Sequence, residues 1–121
     1  MSSTTGREKI FEYAKMQFDA VPEYLWAKYP DYAVLRHKNN KKWFAVIMNV
    51  EREKLGLQGK ETIDIMDVKC YPEMIGSLRK EKGILPAYHM NKEHWLTLLL
   101  DGSIEMDSVF ELLNLSYELT E

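Results

Sequence analysis

The stretch WFAVIMNV, residues 43–50, is the most restrictive feature of this 121-residue chain. As a β-strand it puts Phe44, Val46, Met48 and Val50 on one face and Trp43, Ala45, Ile47 and Asn49 on the other, because successive side chains alternate across the pleat. Both faces are largely apolar, so neither can be left to water. The strand is therefore expected to be a central one in its sheet. A second strand-like run, YAVLRHK (32–38), precedes it. Asn39-Asn40 between the two suits a hairpin turn, because asparagine tolerates positive φ.

The remaining segments supply neighbours and cover. Thr5-x-x-Glu8 predicts a helix start through a capping box; Ile10, Phe11, Ala14 and Phe18 recur at helical spacing, and Pro22 is the expected stop. PEYLWAKYPDY (22–32) holds two prolines and four aromatics, Tyr24, Trp26, Tyr29 and Tyr32, and reads as an irregular crossing whose rings cover one end of the core. After the charged connection 51–61, TIDIMDVKCY reads as a third strand whose alternation slips once near Ile65-Met66. Pro72 suits a first helical position, Met74, Ile75 and Leu78 form a stripe, and Gly83 is the expected end of that helix. ILPAYHM and HWLTLLLD flank Asn91-Lys92-Glu93 as another pair of short extended runs. From Met106 onward Val109, Phe110, Leu113 and Tyr117 repeat at helical intervals, with Asp107 favourable in the first turn. The order α-β-β-β-α-β-β-α predicts an α+β fold, an α/β two-layer sandwich of helices on an about five-stranded, mainly antiparallel sheet. With no repeat, linker or low-complexity tract, one domain over residues 1–121 is expected.

Composition removes several classes of function. Apolar residues at 45% and charged residues at 29% exclude a disordered chain. No apolar run approaches the roughly 20 residues of a membrane span, and MSSTTGREKIFEY has no hydrophobic segment after a basic one, so a cytoplasmic protein with no membrane partner is expected. Cys70 is the only cysteine, which excludes an intramolecular disulfide and a cysteine-based zinc cluster and suits a packed thiol over a nucleophile. A net charge of −3 argues against strong, indiscriminate nucleic-acid binding. Positive charge is local: RHKNNKKW carries Arg36, Lys38, Lys41 and Lys42 with no acid among them.

The richest run for chemistry is PAYHMNKEHW, residues 86–95. His89 and His94 are five apart, about 140° around a helix, which cannot imitate the i, i+4 zinc arrangement. On a hairpin they would face each other, but only Glu93 is near enough in sequence to add a third ligand, so no metal is expected. The chain has no nucleophile elbow, phosphate loop or dinucleotide fingerprint, and a non-enzymatic protein without a cofactor is expected. The acids Asp64, Asp67, Glu73, Glu105, Asp107 and Glu111 read as solvated surface. Two hairpin tips remain. One carries Arg36, His37, Lys38, Lys41 and Lys42; the other carries His89, Asn91, Lys92 and His94; Trp43 and Trp95 stand beside them. Such tips would place lysines on DNA phosphates and Asn, His or Arg on base edges, although hairpin tips are often polar merely because they are solvated. A different class of function is a protein-interaction or small-ligand surface made by Trp26, Trp43, Tyr88 and Trp95 with the neighbouring histidines.

MDVKCYPE, GILPAYHMNKEHW and SYEL, together with PEYLWAKYPDYAVLRHKNNKKWFAVI, resemble the signature segments of the MmcQ/YjbR proteins, in the same order over nearly the whole chain. The resemblance implies a CyaY-like (frataxin-like) sandwich and DNA binding through a double-wing arrangement. The family pattern falls on Lys69, Pro72, Tyr88, His89, Asn91, Lys92, His94, Trp95, Ser116 and Tyr117. Tyr117 continues the stripe of the last helix, so Ser116 and Tyr117 are expected to brace the fold, with a bond toward the 88–95 loop. Iron chemistry does not follow from such a fold, because the first helix mixes Arg7, Lys9 and Lys15 with Glu8, Glu12 and Asp19.

Overall fold

The computed structural model describes residues 5–121; the first four, part of the amino-terminal stretch considered above for a leader, lie outside the described residues. The elements are α1 (Gly6–Phe18), β1 (Ala33–Arg36), β2 (Trp43–Glu51), β3 (Thr62–Lys69), α2 (Pro72–Leu78), β4 (Ile84–Pro86), β5 (Trp95–Leu99) and α3 (Met106–Leu119), with a 3-10 turn at Arg52–Leu55. The predicted α+β order is present. The five strands form one antiparallel sheet in the order β1-β2-β3-β5-β4.

The three helices lie on one face, where Ile10, Ala14, Ile75, Val109 and Leu113 bury Leu35, Ile47, Met66, Val68, Leu96 and Leu98. No described α-helix covers the other face. There Val34, Val46, Met48, Val50, Ile63, Ile65 and Leu99 lie under Trp26, Tyr32, Trp43, Leu55, Leu57, Leu85 and Tyr88. Trp26 and Tyr32 of the 22–32 crossing therefore cover this second face, not an end of the core, while Tyr24 and Tyr29 are exposed. Glu23 bridges Val34 through two backbone hydrogen bonds, which occupies part of the otherwise bare edge of β1.

A register shift decides which rings go where. Leu35 pairs with Ala45 but Arg36 pairs with Trp43, leaving Phe44 as an extra residue in β2. The bulge breaks the simple alternation expected for this strand: Phe44 joins Ala45 and Ile47 under the helices, and Trp43 crosses to the side of Val46 and Met48. A bulge leaves backbone groups unpaired, and Ser116 of α3 answers this one. Its hydroxyl donates to Phe44 O (2.6 Å) and accepts from Lys69 N (2.9 Å). Ser116 thus does brace the fold, through β2 and β3 instead of the 88–95 loop.

Other boundaries move for local reasons. Thr5 Oγ1 accepts from Glu8 N, while the Glu8 carboxylate accepts from the Thr5 hydroxyl and does not return to an amide, so only half of the capping box forms. Helix α1 stops before Pro22 because Asp19 turns left-handed (φ 53°) and its amide bonds back to Ala14 O and Lys15 O. Helix α2 ends at Leu78; Gly83 (φ 87°) instead serves the turn into β4, where a Cβ would lie 2.6 Å from Ile104 Cγ1. Strand β3 runs unbroken from Thr62 to Lys69. Its apparent slip is a buried acid, Asp67, following Ile63 and Ile65 on the face away from the helices.

Candidate functional site

Strand register places both hairpin loops at one end of the sheet. Arg36 faces Trp43, Ala45 faces Val68, Lys69 faces Trp95 and Pro86 faces Leu96, so the 37–42 and 87–94 loops leave from the same edge. Their centres are about three strand spacings, roughly 14 Å, apart. The two loops are built for different tasks.

The 37–42 loop is tied down. Carbonyls at the end of a helix lack intrahelical partners, and this loop supplies them to α3. His37 is buried, with Nε2 2.7 Å from Thr120 Oγ1 and 3.1 Å from Tyr117 O, and Asn40 Nδ2 donates to Thr120 O at 2.9 Å. Because Thr120 Oγ1 donates to Ser116 O, Nε2 of His37 is the donor. The His37 ring packs on Tyr117, which stacks on Phe18. Arg36 is held by both carboxylate oxygens of Glu23 at 2.7 Å, and that bond raises its already high pKa. Lys38 pairs with Asp19 at 2.6 Å. Of the cations predicted for the first wing, Lys41 and Lys42 are exposed and make no ion pair among the described residues.

The 87–94 loop is longer than a four-residue turn, because β4 ends at Pro86 and β5 begins at Trp95. His89 and His94 therefore do not face each other on a ladder. Asn91 holds the turn, its side chain accepting from Glu93 N (2.7 Å) and its carbonyl from Trp95 N (2.9 Å). Lys92 and His94 are exposed, and the His94 carbonyl accepts from Cys70 N. Burial raises the pKa of the Cys70 thiol, as suits a packed residue. Trp95 and Lys69, both half-buried, pair across β5 and β3, while Pro72 opens α2 in solvent. His89 adopts a left-handed conformation (φ 63°) and lies against Tyr88 with ring centroids 3.9 Å apart.

That conformation helps wall a concavity of about 300 Å³ lined by Trp26, Tyr29, Tyr32, Trp43, Tyr88 and His89, with Met90 beside them and Val46 and Met48 from β2. Trp26 stands edge-on to Trp43 (84°) and to Tyr32 (73°). Three of the four rings predicted for a recognition surface, Trp26, Trp43 and Tyr88, converge here; Trp95 does not line it.

Asp67 is the residue that sequence reasoning placed wrongly. It is 0% exposed, in contrast to the solvated acid expected. Oδ1 accepts from the Thr97 hydroxyl at 2.5 Å, Thr97 Oγ1 accepts from Tyr88 N at 2.8 Å, and Oδ2 has no hydrogen-bond partner among the described residues. Burial drives its pKa up to about 7, against the lowering effects of the Thr97 bond and the Lys92 charge. The available signal was its place in the alternating series Ile63, Ile65, Asp67, which puts the acid on the same strand face as two isoleucines. Among the described residues, no three His, Cys, Asp or Glu side chains gather as a metal site would need, and no helix is long and apolar enough to cross a membrane.

The YjbR family model matches residues 17–119, from the end of α1 through α3. The chain belongs to the YjbR family. Within it, the uncharacterised Bacillus subtilis protein YyaQ is 47% identical over 115 residues, covering 95% of this chain and 98% of that one. Escherichia coli YjbR, also uncharacterised, is 35% identical over 54 residues, 44% of this chain and 46% of its own. A crystal structure of a Pseudomonas syringae protein, 46% identical, matches with a TM-score of 0.93 over 95% of this chain and 98% of that chain. The sheet and helix arrangement of this YjbR-family chain is thus also that of a solved relative.

Proposed function

We propose that this YjbR-family chain is a non-catalytic binding protein that holds a small, apolar-surfaced ligand in the concavity over β2. The observation that carries this reading is the convergence of Trp26, Tyr29, Tyr32, Trp43, Tyr88 and His89 on one hollow with an apolar floor. Ligand sites are concave, mostly apolar and supplied with few polar groups. Titration with the uncharged apolar dye 1-anilinonaphthalene, followed by dye emission and tryptophan quenching, tests it. Saturable binding that Trp43→Ala removes and Trp95→Phe leaves in place is the expected result. Absence of saturable binding would sink the reading.

DNA binding is the second reading, favoured by the shared sheet end of the two loops and by Lys41, Lys42, Lys69 and Lys92, none of which is in an ion pair among the described residues. It ranks second because Glu23 and Asp19 neutralise Arg36 and Lys38, and His37 faces inward. Fluorescence anisotropy with short duplex and single-stranded DNA tests it. Replacing Lys41 and Lys42 by Ala should weaken binding and lower the salt slope by about 2.

A further inference from the structure

We propose that the concavity is an aromatic cage for a small alkylammonium ion, with Asp67 as the buried charge that selects this cation over a neutral molecule of the same shape. This rests on the binding reading above and adds the chemical class of the ligand.

Two observations meet. The first is the lining: five aromatic side chains, Trp26, Tyr29, Tyr32, Trp43 and Tyr88, and no Lys, Arg, Asp or Glu. The negative faces of such rings attract a cation and favour a weakly hydrated, alkylated one. The second is Asp67. It stands opposite Val46, a floor residue, on neighbouring strands, and side chains so placed on one face have Cβ atoms about 4.5–5.5 Å apart. Its carboxylate has one oxygen without a partner and no ion pair among the described residues. A buried anion lacking a counter-charge is costly, and a cation on the far side of the Val46 side chain offsets that cost through a medium that screens poorly. A neutral ligand offers nothing in return, and an anion is repelled by ring faces and carboxylate alike.

The groups that act on Asp67 are Thr97 from β5, whose hydroxyl bonds it and accepts from Tyr88 N, and the charge of Lys92 from the 87–94 loop; Lys69 lies two residues along β3, and Tyr32, Tyr88 and His89 line the hollow whose floor includes Val46. β2 contributes only the apolar Val46 opposite it. Lys92 is exposed and Lys69 half-buried, so neither neutralises the carboxylate by contact. Because the cation favours ionised Asp67, its affinity should rise as pH rises through the region where Asp67 loses its proton. His89 lines the hollow itself, so His89→Gln separates its contribution from that of Asp67.

The test compares choline with its neutral isostere 3,3-dimethylbutan-1-ol by tryptophan quenching, with the anilinonaphthalene dye as a displaceable reporter. At about pH 8 choline should bind roughly tenfold tighter than the isostere, the preference shrinking near pH 5.5. Asp67→Asn should abolish the preference and its pH dependence, whereas His89→Gln should retain both. Equal affinities in the native protein overturn cation selection while leaving the binding reading intact; so does dye binding without choline binding. Failure of dye, choline and isostere together overturns both. Should Asp67→Asn not fold, the pH profile of the native protein decides: a flat preference overturns the proposal, a rising one that survives His89→Gln supports it.

Discussion

Toward the helices the sheet presents Leu35, Phe44, Ile47, Met66, Leu96 and Leu98, all fully buried, whereas toward the loops it presents Val46, Met48, Asp67 and Thr97 beneath rings that leave a hollow of about 300 Å³. Polar groups differ in the same way. On the helical side Ser116 closes the bulge, His37 and Asn40 close the end of α3, and Asn49 donates to Asp64, which Arg7 also reaches. On the loop side a carboxylate oxygen has no partner among the described residues. A sheet needs only one well-closed face to hold its register, so the second face is free to keep large rings and a charge where packing alone would not place them. One face is closed by helices, and the other is the one on which the proposed recognition rests.

That division is breakable. The largest effect is expected from Phe44→Ala, which empties a fully buried site and should cost roughly 3–5 kcal/mol in urea denaturation. Ser116→Ala should follow at roughly 2–3 kcal/mol, because it orphans a buried carbonyl and an amide together. Trp43→Ala removes a larger ring, yet a half-buried one at the cavity, and should cost only about 1–2 kcal/mol while abolishing ligand binding. If Trp43→Ala destabilises as much as Phe44→Ala, the two faces are equivalent and the hollow is an ordinary part of the core.

Proton linkage sharpens the contrast. Asp67 has a folded-state pKa raised from 3.8 to about 7, so between those values the folded chain binds more protons than the unfolded chain. Stability attributable to this group is therefore greatest below about pH 4 and declines as pH rises to about 7, by at most a few kcal/mol. Asp67→Asn should flatten that slope in thermal unfolding measured from pH 5 to 8. An unchanged slope would show that the loop-covered face is more solvated than its burial indicates.

How much of this could be read from the residues alone depended on pattern against exception. Periodicity in α1, α3 and β2 and the placement of Pro72 carried the element order, because each is a local cause with a local effect; the turn between β1 and β2 falls at Asn39-Asn40 as expected, but its left-handed residue is Lys41 (φ 64°), not an asparagine. The bulge at Phe44 has no local signature: it follows from how β1, β2 and α3 fit together, and it alone sends Trp43 to the cavity side. His37 looked like a wing residue since it precedes two asparagines, but the orphan carbonyls that draw it inward belong to a helix eighty residues later. The rings of 22–32 were legible as cover, not as the wall of a hollow, because their partners Trp43 and Tyr88 come from distant strands and loops.

The smallest stability effect separates the two binding readings most cleanly. Asp19 pairs with Lys15 at 2.9 Å and Lys38 at 2.6 Å, and these bonds hold its pKa down to about 2. All three side chains are more than half exposed, so the pairs contribute little once salt screens them. What they do contribute is present above about pH 4 and is lost as pH falls toward 2. Asparagine tolerates the left-handed backbone at this position, so Asp19→Asn adds no strain. Unfolding at moderate salt should barely change, yet Lys38 is released beside Lys41 and Lys42. If the 37–42 loop contacts phosphate, DNA affinity at low salt should rise severalfold and the salt slope steepen by up to about 1. If recognition belongs to the loop-covered face, ligand binding in the hollow stays as it was and DNA affinity does not respond.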